Sequence, residues 1–192
     1  DSTGKNIIKH VKTDKNGKAE IKNLDIGKYI LRETKTRKEY KIALEQNITI
    51  EWGKTLNLTI ENEKMKGKVK ITKISEDDNL ITGEVAGTPI ANVKFEIYDD
   101  SGKLVDTLIT KADGIAISKD LVVGKYIVKE KETGEYYEIN ENDFEVEITK
   151  NGEVVDLTIS NKSKTPPPEK PKEETPKIEV PPIEPIKKLP VT

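Results

Sequence analysis

LVVGKYIVKE at positions 121–130 and LDIGKYILRE at positions 24–33 are one segment written twice. After the glycine of each, side chains alternate so that Tyr126, Val128 and Glu130 share one face, as do Tyr29, Leu31 and Glu33. Period two is the mark of a β-strand with one face toward a core. The spacing of 97 positions holds outward: TDKNG at 13–17 matches TKADG at 110–114 in its Thr and Gly, and Tyr40 matches Tyr137. The closing runs, LNLTIEN at 56–62 and VDLTISN at 155–161, are offset by 99, so one intervening loop differs in length by two residues. The later copy is complete from about Gly67. The earlier one starts where the later has already reached Asp100, so about a third of it, including its opening strands, is missing.

Both copies read as all-β. KVKITKI, ANVKFEIYD, KLVDTLIT, DFEVEIT and VVDLTIS are short alternating runs separated by Gly, Asn and Asp turn signals, and no window has a helical apolar stripe. A two-sheet immunoglobulin-like or prealbumin-like Greek-key sandwich of about 95 residues is the economical fold for such alternation. Nine of the ten prolines lie beyond position 162, whereas all twelve glycines precede it. The expected organisation is a truncated sandwich at 1–64, a complete one at 65–162 and a disordered Pro-rich spacer at 163–192. Polyproline II at roughly 3.1 Å per residue would let that spacer reach about 90 Å.

Composition removes whole classes of function. Lys and Arg number 33 against 35 Asp and Glu, a net charge of −2, which is not the cationic footprint of a nucleic-acid binder. With no cysteine and His10 as the single histidine, the chain cannot build a thiolate metal site, a His cluster or a His-based triad. No metal or cofactor is expected. Asp14 and Asp77–Asp78 sit in runs that calcium loops and hairpin turns use alike, and the turn is the simpler reading. Trp52 with Tyr136 and Tyr137 could form an aromatic platform or simply pack at a sandwich edge. The start at Asp1 suggests a piece of a longer precursor or a processed product.

Strand phase then singles out three polar residues. Lys73 continues the face of Val69 and Ile71; Glu130 continues that of Tyr126 and Val128; Asn161 continues that of Val155, Leu157 and Ile159. If buried, an ammonium, a carboxyl and an amide must be paired or chemically consumed. Burial disfavours the charged forms, so a neutral Lys73 amine could attack the Asn161 side-chain carbonyl while protonated Glu130 hydrogen-bonds that carbonyl and shuttles protons. The products would be an isopeptide bond and ammonia. The same residues at frayed strand ends would lean into water, and phase alone leaves both readings open. In the first copy the face of Leu56, Leu58 and Ile60 ends at Asn62, and Glu33 ends that of Tyr29, but the lysine would lie upstream of Asp1.

ITKIS at Lys73, PIANVKFEIYD at 89–99, the TKADG turn, LVVGKYIVKE and DLTISN together resemble the Cna B-type repeats, SpaA-like and prealbumin-like, of Gram-positive surface proteins and pilins. The resemblance covers 67–162 in full and 1–64 as a truncated copy. It implies that Lys73 and Asn161 form the isopeptide bond with Glu130 as its catalyst, and that Glu33 and Asn62 are incomplete first-copy counterparts. Asn92 departs from the pattern, standing where the family usually has glycine. Leu189, Pro190, Val191 and Thr192 resemble the LPxTG signal read by sortase, which would join Thr192 to peptidoglycan or to another pilin. The expected function is structural: an extracellular, wall-anchored stalk of an adhesin or pilin, and not an enzyme. The alternatives are a module that binds host matrix and the anchoring end of a secreted enzyme.

Overall fold

The structure, a computed structural model, describes residues 6–166, and every regular element among them is a strand. The first copy contributes β1 (Gly27–Leu31) and β2 (Gln46–Ile50), paired antiparallel. The second contributes eight: β3 (Lys66–Ser75), β4 (Lys94–Asp99), β5 (Leu104–Ile109), β6 (Ile115–Ile117), β7 (Leu121–Val122), β8 (Gly124–Glu132), β9 (Asp143–Ile148) and β10 (Val154–Asn161). They form two sheets. In one, β5-β4-β8-β9 run antiparallel; in the other, β3 lies between β10 on one side and β6 and β7 on the other.

The strands form where alternation is strict. Along β3 the inward residues Gly67, Val69, Ile71, Lys73 and Ser75 are all buried, and none of the residues between them is. Val69, Ile71, Phe95, Ile97, Val128, Ile148 and Ile159 from both sheets close a core with at most 1% exposure. Each such side chain contributes about 1.5–3 kcal/mol by leaving water. The first and last strands of the unit, β3 and β10, are neighbours and parallel, with Val155 opposite Val69 and Asn161 opposite Ser75. A parallel pair cannot be joined by a hairpin, so the rest of the unit serves as its connection.

Two glycines allow β3 to seat. A Cβ on Gly67 would lie 2.5 Å from the Glu153 carbonyl oxygen and 2.6 Å from Ile148. Gly114, at φ +72°, lies so close that a Cβ would meet the Lys73 carbonyl oxygen at 2.4 Å, while its own carbonyl accepts the Lys73 amide at 2.8 Å. Asn92 adopts φ +59°, the left-handed conformation that asparagine tolerates better than most residues, and this accounts for its standing where glycine is usual.

The first copy differs from expectation in one element. Its closing run at 56–62 is in no strand, and Leu56, Leu58 and Ile60 are 44%, 45% and 39% exposed. In the second copy the equivalent β10 takes its ladder from β3, and among the described residues the first copy has no counterpart of β3. Residues 7–13, equivalent to part of β5, likewise form no strand, and among the described residues the first copy has no counterpart of β4; Ile7, Ile8 and Val11 are exposed. The Pro-rich spacer from position 167 onward and the sorting residues Leu189, Pro190, Val191 and Thr192 lie outside the described residues.

Candidate functional site: a buried amine, carboxyl and amide

β3, β8 and β10 converge on one point. Lys73 is fully buried, Asn161 is 2% exposed and Glu130 6%. Lys73 Nζ donates a hydrogen bond to Asn161 Oδ1 and stands 2.9 Å from Glu130 Oε2. Asn161 Nδ2 donates to Glu130 Oε1 at 2.5 Å and to Thr133 Oγ1 at 2.8 Å. Each placement follows from local structure. Lys73 and Asn161 are inward residues on neighbouring strands, with Lys73 opposite Ile159 and Asn161 two residues further on. Glu130 faces Phe95 across the β4–β8 ladder, beside a register shift at Lys94/Phe95 of the kind that re-aims side chains.

Burial pulls the Lys73 ammonium below the ordinary lysine value; its close pairing with the Glu130 carboxyl and the charge of Glu76 oppose that shift. Glu130 Oε2 receives no well-aligned hydrogen bond although the Lys73 nitrogen is next to it. The carboxyl therefore bridges the lysine nitrogen and the amide, one oxygen toward each. This departs from the sequence reading in one respect: Glu130 meets the amide nitrogen of Asn161, not its carbonyl.

Thr133 was not singled out from the sequence. The signal was present, because Thr36 stands 97 positions before it, in register with the repeat that relates Glu33 to Glu130. In the first copy Asn62 Nδ2 donates to Glu33 Oε2 at 2.6 Å and to the Lys41 carbonyl at 2.8 Å, and Glu33 Oε2 also accepts the Ala43 amide at 2.7 Å. Carboxyl and amide are thus in contact there as well. Among the described residues Glu33 has no ion pair with a lysine.

The remaining candidates resolve into structural roles. No group of three or more His, Asp or Glu able to hold a metal occurs among the described residues. Asp14 Oδ1 accepts the amides of Asn16 and Lys18, and Asp78 Oδ1 that of Ala86, so these carboxylates close turns. Tyr137 is buried, its hydroxyl donating to Glu84, while Trp52 is 87% exposed in the other copy; the three aromatics form no common platform.

Comparison with known proteins identifies the class. Residues 1–64 and 67–163 both match the SpaA prealbumin-like fold domain, and the chain belongs to that family. The Bacillus anthracis TIE protein has a solved structure that is 33% identical, with a TM-score of 0.69, over 80% of this chain and 28% of its own. The trypsin-resistant surface T6 protein of Streptococcus pyogenes serotype M6 is 33% identical over 81 residues, 42% of this chain and 15% of that protein. The collagen adhesin of Staphylococcus aureus is 34% identical over 99 residues, 44% of this chain and 8% of that protein. This chain thus spans less than a sixth of either of those two relatives.

Proposed function

We propose that this chain is a structural stalk of a Gram-positive cell-surface adhesin or pilin, made permanent by an autocatalytic Lys73–Asn161 isopeptide bond. The observation that carries the reading is a fully buried lysine held between a carboxyl and a side-chain amide on the first and last strands of one sandwich. The neutral Lys73 amine attacks Asn161 Cγ while the protonated Glu130 stands ready as the acid, and the attacking nitrogen later returns a proton to the Glu130 carboxylate. Glu130 gives its proton to Nδ2, the Cγ–Nδ2 bond breaks, ammonia leaves, and the proton released by the new amide nitrogen restores the Glu130 acid. Thr133 holds Nδ2 in line for that transfer. One amine and one primary amide become one secondary amide and one ammonia, with no cofactor.

The organisation proposed with it is a truncated unit at 1–64, a bonded unit at 65–162 and a wall-spanning spacer at 163–192. Sortase would join Thr192 of the terminal LPVT to peptidoglycan or to a pilin partner, giving an extracellular, wall-attached protein whose role is mechanical rather than enzymatic. Likeness to a surface protein and to an adhesin supports this location. A collagen-type host ligand belongs to the adhesin's name and is carried here by no residue; saturable binding of the isolated chain to host matrix would be needed to add it.

Intact mass tests the bond. Wild type is expected to be lighter than its sequence by one ammonia, and Glu130→Ala to recover the full mass. A wild-type chain of full mass overturns the reading.

A further inference from the structure

We infer that the loop at 76–87, which leaves β3, is the clamp that keeps Glu130 against Lys73 and Asn161, and that its Glu84 acts with Tyr137 as a pair of positioning residues for the bond-forming step. This rests on the isopeptide reading of the second unit and names what places its acid.

The three reacting groups are not held by one ladder. Lys73 and Asn161 stand on neighbouring strands of one sheet, so backbone hydrogen bonds fix their separation. Glu130 stands on β8, in the other sheet, and no strand of one sheet pairs with a strand of the other. Packing across the sandwich sets that gap, yet a misplacement of about 1 Å can cost a reaction about 10²-fold. Something firmer than packing is needed at this end.

The loop supplies it by tying together the segments that follow each reacting residue. Its Glu76 amide donates to the Asn161 carbonyl at 2.8 Å, and Asp77 Oδ1 accepts the Ser163 amide at 2.8 Å. Asn79 Nδ2 donates to the Tyr136 carbonyl at 3.4 Å, and Glu84 Oε2 accepts the Tyr137 hydroxyl at 2.9 Å. The Tyr137 tie has the most leverage on the acid. Its ring is 5% exposed and lies against Gly134, where a Cβ would be 3.5 Å away, next to the Thr133 that holds the Asn161 amide.

The loop is built to aim that carboxylate. Asn79 is 1% exposed and takes no part in the bond chemistry; its Oδ1 accepts the amides of Ile81 and Thr82 at 3.0 and 3.1 Å, and its own amide donates to the Glu84 carbonyl at 2.7 Å. Thr82 Oγ1 then donates at 3.0 Å to Glu84 Oε2, the same oxygen that receives the Tyr137 hydroxyl. Loss of the tie lets the end of β8 drift from β3. The charges acting on Lys73 come from Glu130 on β8 and Glu76 just past β3, while β10 offers the uncharged Asn161. With Glu130 withdrawn, the lysine must lose its proton to solvent, and the rate becomes dependent on pH.

Chemically synthesised chain refolded from denaturant provides the test, with intact mass giving ammonia loss and near-UV circular dichroism giving the folded fraction. Tyr137→Phe, which keeps the ring, and Glu84→Ala should each slow bond formation per folded molecule roughly five-fold at neutral pH and make the rate rise with pH, where wild type stays flat. Glu84→Gln, which keeps the acceptor without the charge, should restore both rate and profile. Tyr137→Phe combined with Glu84→Ala should be no slower than either alone, because both remove one contact. A wild type that never loses ammonia would overturn the isopeptide reading and this inference with it. If wild type does lose ammonia, variants that melt lower yet react at the wild-type rate with a flat profile would overturn this inference alone, as would Glu84→Gln reacting as slowly as Glu84→Ala.

Discussion

Replacing Lys73 by methionine isolates what the tether contributes. With the proposed bond formed, the wild-type lysine nitrogen would be a neutral amide, so neither protein would bury an ammonium and Glu130 would lack a cationic neighbour in both. Methionine fills nearly the same channel, and Asn161 keeps its contacts with Glu130 and Thr133. What changes is the unfolded chain. Lys73 and Asn161 lie 88 positions apart, and closing a loop of that length removes about 4.6 kcal/mol of denatured-state entropy at room temperature, treated as for a disulfide. For a unit of this size, unfolding entropy near 2.1 cal/mol/K per residue converts that loss to a melting temperature lower by about 20 °C. Urea and thermal unfolding, followed by near-UV circular dichroism of the buried Tyr126 and Tyr137, provide the measurement. A difference below about 1 kcal/mol between wild type and Lys73→Met would refute the tether as the source of stability.

Other consequences can be checked on the same protein. Chemically synthesised chain is unreacted until refolding from denaturant starts bond formation; the neutral amine–acid pair and the ion pair hold the same number of protons, so the rate should be flat around neutrality. It should fall once the last proton leaves, at a pH below the ordinary lysine value, because burial lowers the Lys73 pKa; a rate that instead climbs through pH 10.5 would mean that the amine acts without an acid. Thr133→Val removes an acceptor of the departing nitrogen and should slow bond formation after refolding roughly five-fold, for about 1 kcal/mol, with Thr133→Ser restoring it. Gly114→Ala forces a Cβ against the Lys73 carbonyl at positive φ and should cost about 1–3 kcal/mol by thermal unfolding, whereas Gly102→Ala, with open space around it, should cost less.

The sequence made the second unit legible because a half-buried strand records its own phase. Lys73, Glu130 and Asn161 each continue an apolar series, which marks them as candidates, but phase alone leaves burial and exposure both open, and it is the structure that turns them inward. Phase does not report which strands are neighbours, so the parallel seating of β3 on β10 had to come from structure. It is equally silent on which oxygen of Glu130 meets which atom of Asn161. Thr133 escaped notice because it lies just past the end of β8, where alternation ceases to locate a side chain. The first unit misled for a different reason: 56–62 has the full pattern of a strand, but a pattern becomes a ladder only when another backbone supplies the hydrogen bonds.

The strand order bears directly on load. In a stalk, tension enters the second unit at the start of β3 and leaves at the end of β10. Because the two strands are parallel, those points lie at opposite ends of the pair, and pulling would shear the whole ladder at once. A bond from Lys73 to Asn161 moves the load elsewhere. The covalent path would run along β3 from Lys66 to Lys73, across to Asn161 and out, leaving residues 74–160 unloaded. The two ends of this path are the two places where the chain can least afford bulk: Gly67 against Glu153 and Ile148 at entry, and Gly114 against Lys73 at the crossing. Close backbone approach at these points holds β3 in the register that delivers its lysine to the amide. The reacting groups and the force-bearing strand are therefore positioned by the same contacts.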